Sequence, residues 1–440
     1  MELRELAMDL RSGALTPTQH VQQVLASIDA LATTPYANLV VARDDQRARA
    51  DACTAEQDIA AGRWLGPLHG VAVAIKDNID VAGLPTRAGS ATRDAAPATH
   101  DAEVVTRLRA AGAIVVAKTH LHELAYGPTG DVSVDGPAAN PHDPARITGG
   151  SSSGSAALLA LGVVALALGT DTGCSVRTPA ALCGVVGLKP ALGGLPTAGT
   201  VPLSTTLDHV GLLTGDVHSA SVAWDVLARG AEGTGGGIQA PGVGGVRIGL
   251  PRGELFAVHD PAIVAAVDRA AQRLAEAGAE LVEIEVPDAE ALSAIYPVIV
   301  GAEAHATHAR ALTDRPGDFQ PSTFQRLSAQ GGRSAQEYIT ALRTRESLRR
   351  STLNVLRRTY SLDALLLATT PLRATPIGHT EVDGHDVRAG LLRLCIPFSV
   401  LGLPAVSAPA PEVAGLPVGL QVVGVKLEER GVLRVAAAIT

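Results

Sequence analysis

The stretch GTDTGCSVRTP (169–179) directly follows the apolar run AALLALGVVALAL (156–168). Its serine, Ser175, stands behind Gly173 and Cys174, where a turn at the end of a buried strand is expected. A serine hydroxyl is a weak nucleophile until a base takes its proton, and no histidine lies near it in the sequence. The stretch therefore predicts a catalytic turn whose base comes from elsewhere in the chain.

The composition is that of a globular chain with few charges. Of 440 residues, 46% are hydrophobic and 18% charged, and the formal net charge is −8. This charge argues against nucleic acid as a partner, because phosphate binding needs clustered Lys and Arg. The four cysteines contain no C-x-x-C pair, which fits a reducing compartment. The N-terminus MELRELAMDLRSG (1–13) lacks the apolar core of a signal peptide, and no apolar run could span a bilayer. We expect a cytoplasmic protein without a membrane partner.

Two parts of the chain show the same order of helix, glycine and short apolar strand. Asp101 opens a helical pattern that ends before AIVVAKT (113–119), and Asp260 opens another that ends before AELVEIEV (279–286). Helices laid over a largely parallel sheet produce this order. Further strands are predicted at 71–76, 165–170, 246–250 and 363–370. We predict an α/β fold: a single large domain (1–440) with a mixed, mostly parallel central sheet covered by helices on both faces.

Four segments stand out within this domain. Residues 1–65 are predicted to be helical, with a capping box at 16–19, and residues 66–225 form the core that holds the candidate site. The glycine-rich GTGGGIQAPGVGG (233–245) is the best candidate for a boundary, and we interpret it as a surface loop inside one domain. Residues 290–360 are predicted to form a polar, helical excursion that borders the substrate pocket.

The stretch TGGSSSGS (148–155) allows three interpretations. A flexible linker is the usual one for a Gly/Ser run, but a linker makes little sense directly before a buried apolar run. A phosphate-binding loop would need the G-K-[ST] ending, which is missing. The third is a turn that brings hydroxyls and free backbone N–H groups to a helix N-terminus, which suits developing negative charge.

The candidate base is Lys76, at the end of the alternating strand VAVAIK (71–76). Strand alternation places Lys76 on the face of the two alanines, while the valines and the isoleucine point to the other side. Lysines are almost never fully buried unless they are paired. From this segment alone, a structural ion pair with Asp77 or Asp80 remains the alternative.

Taken together, three segments resemble the amidase signature family, in that family's order and spacing: LHGVAVAIKDNIDVAG (68–83), TGGSSSGSAAL (148–158) and GTDTGCSVRTPAALCGVVGLKP (169–190). PLSTTLDHVGLL (202–213) and the region 402–424 extend the resemblance over nearly the whole chain. The resemblance implies the amidase signature fold and hydrolysis of a small-molecule amide, with esters or carbamates as related substrates. It implies no cofactor and no metal, and the apolar composition favours an uncharged carboxamide.

The resemblance also implies the roles of three residues. Ser175 matches the acyl-forming nucleophile, Ser151 the bridging serine that the family holds in a cis peptide, and Lys76 the base. The proton would pass from Ser175 through Ser151 to Lys76. The lysine must then be neutral, so burial has to lower its pKa from about 10.4 by roughly 2–3 pH units. A close carboxylate would oppose that, and we therefore expect Asp77 to point away.

The turn around the nucleophile carries further expectations. Backbone N–H groups of Thr172, Gly173, Cys174 and Ser175 would hold the oxyanion. We interpret Asp171 and Arg177 as a buried ion pair that fixes the turn. The family usually has glycine in place of Cys174, as it has in place of Ser153. If that glycine uses a positive φ, the cysteine strains the turn. Cys174 as the nucleophile is an alternative, but a thiolate needs a stabilising histidine or cation.

The segment THLHELAYG (119–127) offers a competing interpretation. His120 and His122 could share a strand face near Glu123, which would allow a metal, but a lone H-x-H motif is weak evidence. We expect instead that this segment turns beside the active site and that Tyr126 forms a wall of the substrate pocket.

Three functions follow, and the sequence favours the first. It is a stand-alone hydrolase of carboxamides. The second is the glutaminase-like subunit of a tRNA-dependent amidotransferase, a member of the same family that needs a partner chain. The third is a non-catalytic binding protein, against which the presence of Lys76, Ser151 and Ser175 speaks. A homodimer stays open as the oligomeric state.

Overall fold

An eleven-stranded sheet forms the centre of the protein in the computed structural model, which describes residues 2–229, 242–411, 413 and 415–440. In the described part, the strands are β1 Val40–Ala42, β2 Ala72–Lys76, β3 Ile114–Thr119, β4 Ala139–Asn140, β5 Asp143–Ile147, β6 Leu166–Asp171, β7 Val186–Lys189, β8 His209–Thr214, β9 Arg247–Arg252, β10 Glu280–Glu285, β11 Ala364–Ala368, β12 Glu381–Val382, β13 His385–Asp386, β14 Ala405–Pro409 and β15 Gly419–Gly424. The helices there are α1 Leu3–Ser12, α2 Pro17–Leu31, α3 Asp45–Ala60, α4 Glu103–Ala110, α5 Ser153–Ala160, α6 Arg177–Cys183, α7 Val217–Arg229, α8 Pro261–Glu276, α9 Ala289–Asp314, α10 Pro321–Ser328, α11 Ala335–Asn354, α12 Val387–Arg393, α13 Ile396–Val400 and α14 Glu429–Ala437.

The strand order in the large sheet is β1-β3-β2-β6-β8-β7-β14-β15-β11-β9-β10. Parallel pairing is confined to two blocks, β3-β2-β6 and β11-β9-β10. The strands between the blocks pair antiparallel, as β1 does at one edge. The mixed α/β sheet of the prediction is therefore confirmed. The antiparallel centre includes β14 and β15, whose short connection leaves no room for a crossover helix.

The sheet separates two apolar cores, and strand β2 shows how. Val73 and Ile75 belong to the larger core, together with buried residues of α1, α4, α7, α8, α9 and α14. Ala72 and Ala74 belong to the smaller core, together with buried residues of α2, α3 and α5. The predicted division of this strand into two faces, and the covering of the sheet on both sides, are confirmed.

Each of the six predicted strands forms, and its ends lie within two residues of the predicted ones. The apolar run 156–168 is divided, however: its first five residues end helix α5, and its last three open strand β6. The capping box at 16–19 is present at the start of α2. Asp101 does not cap α4, because its carboxylate accepts the N–H of Ala82 and lies 3.1 Å from the Arg109 guanidinium.

The segment 290–360 contains most of α9 and all of α10 and α11, as predicted from its polar helical pattern. Most of the glycine-rich segment 233–245, residues 233–241, lies outside the described residues. Among the described helices, none combines the length and the apolar character that crossing a membrane requires.

Candidate active site

The carboxyl ends of two neighbouring parallel strands bring the candidate base to its partners. Strands β2 and β6 pair in parallel, so Lys76 and Thr170 lie at the same edge of the sheet. The Lys76 Nζ atom lies 2.7 Å from Ser151 Oγ and 2.7 Å from Thr170 Oγ1. Asn78 Nδ2 donates a second hydrogen bond, of 3.0 Å, to Thr170 Oγ1. The lysine therefore ends in a cluster of hydroxyl groups.

Ser151 belongs to the turn that leads into helix α5. The peptide bond between Gly150 and Ser151 is cis. The carbonyl of Ser151 accepts the His122 N–H at 3.1 Å, and the N–H of Ser152 donates to the carbonyl of Ser175 at 3.2 Å. The serine-rich turn is thereby attached on one side to the segment that carries His122 and on the other to the turn that carries Ser175.

Burial lowers the pKa of Lys76, so that a part of the amine is neutral near pH 7, as a proton relay requires. Its side chain is fully buried, and burial lowers its pKa from 10.5 to about 7, against the opposing charges of Asp171 and Asp208. Asp77 instead lies 2.9 Å from Lys118 Nζ and accepts backbone N–H groups. Asp77 therefore points away, as expected, and among the described residues no carboxylate lies within 4.0 Å of Lys76.

An ion pair without solvent contact fixes the turn after β6. Arg177 Nη2 lies 2.9 Å from Asp171 Oδ1, and neither side chain is exposed. Asp171 Oδ2 also accepts the Val176 N–H at 3.1 Å. Burial opposes the ionisation of Asp171, but the charge and hydrogen bonds of Arg177 outweigh it and lower its pKa to about 2. The pair is therefore charged near neutral pH.

The same turn orients backbone N–H groups. Arg177 Nη2 donates to the carbonyl of Gly173 at 2.8 Å, and the Thr178 N–H donates to the carbonyl of Cys174 at 2.7 Å. Because a trans peptide is planar, each N–H that follows points opposite to its carbonyl. Within the described residues, the N–H groups of Gly173, Cys174 and Ser175 have no protein acceptor. They are available to a ligand oxyanion.

Cys174 fits this turn without backbone strain. Its φ lies outside the left-handed region, so the turn does not depend on glycine at this position. Burial raises the pKa of the Cys174 thiol, and the side chain is fully buried. A protonated, enclosed thiol is a poor nucleophile. These facts weaken the alternative in which Cys174 attacks the substrate.

The histidines of 119–127 serve the packing around the serine turn. His120 Nδ1 lies 2.8 Å from Ser153 Oγ, and burial lowers its pKa. His122 is also buried, and its Nδ1 accepts the Gly130 N–H at 3.3 Å. Glu123 accepts the Ser90 hydroxyl at 2.7 Å. No cluster of three His, Cys, Asp or Glu side chains suited to a metal is found in the part of the chain that the structure describes.

A large cavity approaches the Ser175 turn from outside. Its volume is about 1160 Å³, and Tyr296, Leu392 and Arg388 are part of its lining. Tyr296 and Leu392 are also the side chains that a Cβ atom on Gly173 would meet, so the inner end of the cavity reaches this turn. Tyr126 lies one layer behind the lining, with the Arg388 guanidinium carbon 5.4 Å from its ring centroid.

Four residues near the triad candidates were not identified from the sequence. Thr170 and Asn78 stand in the quoted motifs, and their position beside Lys76 could have been inferred from the pairing of β2 with β6. Asp208, whose pKa burial raises to about 6, accepts the Thr172 hydroxyl at 2.5 Å. Tyr296 carried no sequence signal, because only the packing of α9 brings it to Gly173.

Comparison with known proteins shows which family the chain belongs to. The amidase family model matches residues 19–433. AtzE, the 1-carboxybiuret hydrolase subunit of Pseudomonas sp. (strain ADP), is 37% identical, over 99% of this chain and 97% of its own. A glutamyl-tRNA(Gln) amidotransferase subunit of Symbiobacterium thermophilum is 35% identical, over 97% and 93%. A crystal structure of an amidase superimposes with a TM-score of 0.90 at 36% identity, covering 100% of this chain and 99% of that one. The chain therefore belongs to the amidase family, and it is a hydrolase of carbon–nitrogen bonds with the amidase signature fold.

Proposed function

We propose that this protein hydrolyses a small-molecule amide through an acyl-enzyme, with Ser175 as nucleophile, Ser151 as proton bridge and Lys76 as base. The observation that carries the proposal is the 2.7 Å contact between Lys76 Nζ and Ser151 Oγ in a buried site. A lysine with a pKa of about 7 is neutral in half of the molecules at pH 7 and offers its lone pair to a hydroxyl. An ion-paired lysine could not.

The steps follow from these roles. Ser175 Oγ forms a bond to the amide carbonyl carbon, while its proton moves to Ser151 and the Ser151 proton moves to Lys76. The oxyanion accepts hydrogen bonds from the N–H groups of Gly173, Cys174 and Ser175, each worth roughly 3–4 kcal/mol in comparable sites. The carbon–nitrogen bond breaks as Ser151 gives a proton to the leaving amine and takes back the proton held by Lys76, which becomes neutral again. Water then cleaves the ester, and the acid leaves.

Two neighbouring groups support this cycle by holding its parts in position. Thr170 gives the Lys76 amine a second hydroxyl partner at 2.7 Å and fixes it toward Ser151. Asp208 accepts the Thr172 hydroxyl and also the backbone N–H groups of Leu203 and Ser204. The turn that presents the N–H groups is thereby held from both sides, by Asp208 and by the Asp171–Arg177 pair. We assign these as positioning residues.

Trapping of the acyl-enzyme tests the proposal. The purified protein is incubated with amide, ester and carbamate substrates and quenched in acid, and its intact mass is measured. We expect a mass increase equal to the acyl group, located on the Ser175 peptide. Ser175→Ala should lose the adduct and turnover, while Cys174→Ala serves as the matched control and should keep both. An adduct that persists in Ser175→Ala, or disappears in Cys174→Ala alone, would refute the assigned nucleophile.

A second candidate function is the glutaminase-like subunit of a tRNA-dependent amidotransferase. The observation in its favour is the 35% identity to such a subunit over nearly the full length of both chains. The same substrate panel separates the two functions. Glutamine hydrolysis that is weak alone and exceeds all other amides would favour the subunit, whereas faster turnover of simple amides would favour a stand-alone amidase.

A further inference from the structure

Two arginines stand over one aromatic ring beside the candidate active site. The guanidinium carbons of Arg326 and Arg388 lie 5.6 and 5.4 Å from the ring centroid of Tyr126. This ring belongs to the segment that wraps the serine turn, because the carbonyl of Pro128 accepts the Gly150 N–H at 2.7 Å. Helix α10 carries one arginine and helix α12 the other. Two distant parts of the chain thus bring positive charge to one place.

Neither arginine has an ion-pair partner among the described residues. No carboxylate there lies within 4.0 Å of either guanidinium, whereas the buried cations Lys118 and Arg177 each pair with an aspartate. Glu123 and Asp131, whose charges act to raise the pKa of Arg326, lie beyond 4.0 Å and accept hydrogen bonds from Ser90 and from the backbone N–H of Gly378. Burial and the charge of Arg388 lower the pKa of Arg326 to about 10. Two like charges are therefore held close together without a carboxylate in contact with either.

Each of the two guanidinium groups also keeps N–H groups that no described residue accepts. The Nε of Arg326 is buried and has no partner. Its Nη2 makes only a long contact, of 3.5 Å, with His122 Nε2. Arg388 donates from Nη1 to the carbonyl of Tyr126 at 3.0 Å, and no described acceptor takes its Nε or Nη2.

The position of Arg388 makes it accessible to a substrate. Arg388 lines the cavity together with Tyr296, whose hydroxyl lies against Gly173 of the oxyanion turn. None of the four acids in the lining lies within 4.0 Å of Arg388: Asp260 lies 2.7 Å from Arg373, Asp386 accepts the Ala389 N–H at the start of α12, and Glu254 and Asp383 are exposed. A guanidinium presents a planar set of donors that matches a carboxylate.

We propose that the substrate is an amide that carries a carboxylate, bound by Arg388 directly and by the charge of Arg326 behind it. This inference rests on the proposed amidase function and replaces the uncharged carboxamide that the apolar composition favoured. The apolar composition reflects mainly the residues of the two cores. It says little about the charge of the cavity wall, which a few side chains form. The recognised class is the monoamide of a dicarboxylic acid or an amide of similar shape.

Substrate pairs of equal size test the inference. Malonamate, succinamate and glutaramate are compared with the neutral malonamide, succinamide and glutaramide. We expect kcat/KM to be about 10- to 100-fold higher for the best anionic member than for its neutral partner, which is the effect of one charge-assisted hydrogen-bonded contact. Arg388→Gln should remove this ratio, and Arg326→Gln should reduce it about 3- to 10-fold. The ratio of the two kcat/KM values does not depend on the fraction of folded protein, because both substrates are measured with the same preparation.

Arg393→Gln provides the matched control, since Arg393 lies on the same helix and lines the same cavity but donates to the carbonyls of Ala257 and Glu254. It should leave the ratio unchanged. Equal losses for anionic and neutral substrates in Arg388→Gln would assign a structural role to Arg388 and overturn the inference.

A binding measurement separates failure of this inference from failure of the proposed function. A fluorophosphonate probe labels an activated serine, and its reaction at Ser175 tests the nucleophile without any amide. Succinate should slow the labelling at concentrations at least about tenfold lower than succinamide does, and Arg388→Gln should abolish the difference. Labelling with equal protection would overturn the carboxylate proposal alone. Absence of labelling at Ser175 would overturn the proposed function, and with it the inference.

Discussion

Two lysines at the ends of strands of the same sheet have nearly the same burial and nearly the same basicity. Lys76 ends β2 and Lys189 ends β7, and both side chains are fully buried. Burial is the main cause that lowers the pKa of each to about 7. A search for a buried lysine with a low pKa would therefore select both, although only one lies beside a serine.

Their partners differ in a way that decides the chemistry. Lys189 Nζ donates to the carbonyl oxygens of Pro190 and Leu403 at 2.9 and 2.5 Å. A carbonyl has no proton to give, so this amine can only stabilise the chain around it. Lys76 meets the hydroxyls of Ser151 and Thr170, which can both accept and donate. The lowered pKa makes a neutral amine available near pH 7. Only an amine beside a hydroxyl then has a proton that it can accept.

Lys118, on the neighbouring strand β3, shows a third arrangement. It is equally buried, but it lies 2.9 Å from Asp77. Because Lys118 holds the carboxylate of Asp77, that carboxylate does not pair with Lys76, the residue before it. Two adjacent strands thus carry one paired and one unpaired lysine, and the unpaired one is the candidate base.

Exchange of each amine for methionine is the strongest test of the comparison. Methionine has a similar length and is unbranched, so it fills the same space. Lys76→Met should lower kcat/KM by about 10²- to 10⁴-fold, the usual contribution of a general base, while thermal unfolding stays cooperative. Lys189→Met should change kcat/KM less than about tenfold. Near-normal turnover by Lys76→Met at pH 7, or equal inactivity of both variants, would remove the distinction between the two lysines.

The ion pair between Asp77 and Lys118 should affect stability rather than catalysis. Asp77→Asn leaves a buried charge without a partner, and we expect a loss of about 3–5 kcal/mol in the free energy of unfolding, measured in denaturant. The folded fraction should hydrolyse amides within about threefold of the original rate, since Asp77 faces away from the Lys76 amine.

The double variant Asp77→Asn with Lys118→Met controls for the charge. It removes both members of the pair and should recover much of the stability. If Asp77→Asn instead loses activity while its stability is unchanged, Asp77 acts on the relay and the separation of the two strands is wrong.

The sequence could point to Lys76, Ser151 and Ser175 as candidates because each lies in a short segment that resembles the amidase signature family, and the three segments occur in that family's order. Local alternation also placed the faces of β2 correctly. The Asp171–Arg177 contact was predictable for a similar reason: its members are six residues apart and enclosed by apolar sequence.

The residues at and behind the inner end of the cavity could not be found in this way. Tyr296, Arg326 and Arg388 come from three helices in the second half of the chain, and each is ordinary in its own segment. Only their packing around Tyr126 and Gly173 gives them a common position. Neither the composition nor a local sequence pattern could therefore predict the positive charge beside the candidate site.

The hydroxyl of Thr170 allows a finer test of what the partner contributes. Thr170→Val keeps the shape of the side chain and removes the group that lies 2.7 Å from Lys76 Nζ. We expect kcat to fall about tenfold, the value of one hydrogen bond to a group that becomes charged. Thr170→Ser restores the hydroxyl and should restore most of the rate. A loss of the same size in Thr170→Ser would indicate packing rather than positioning of the amine.

The pH dependence of the rate distinguishes the two lysines without removing the base. Only the neutral form of Lys76 can accept a proton, so kcat/KM should rise with pH through the pKa of about 7. Between pH 6 and 7 the neutral fraction, and with it the rate, should increase about fivefold, and between pH 7 and 8 about twofold. Because Lys189 has the same pKa, the profile of the unmodified protein alone could belong to either amine.

The profile of Lys189→Met assigns it, since Lys189 is not among the groups that shift the Lys76 pKa. We expect the acidic limb to stay within about 0.3 pH units of its original position in this variant. A limb that disappears with Lys189 would mean that the amine bound only to carbonyls controls the rate, and the argument from proton-carrying partners would fail. A flat profile from pH 6 to 8 would exclude both amines as the titrating base.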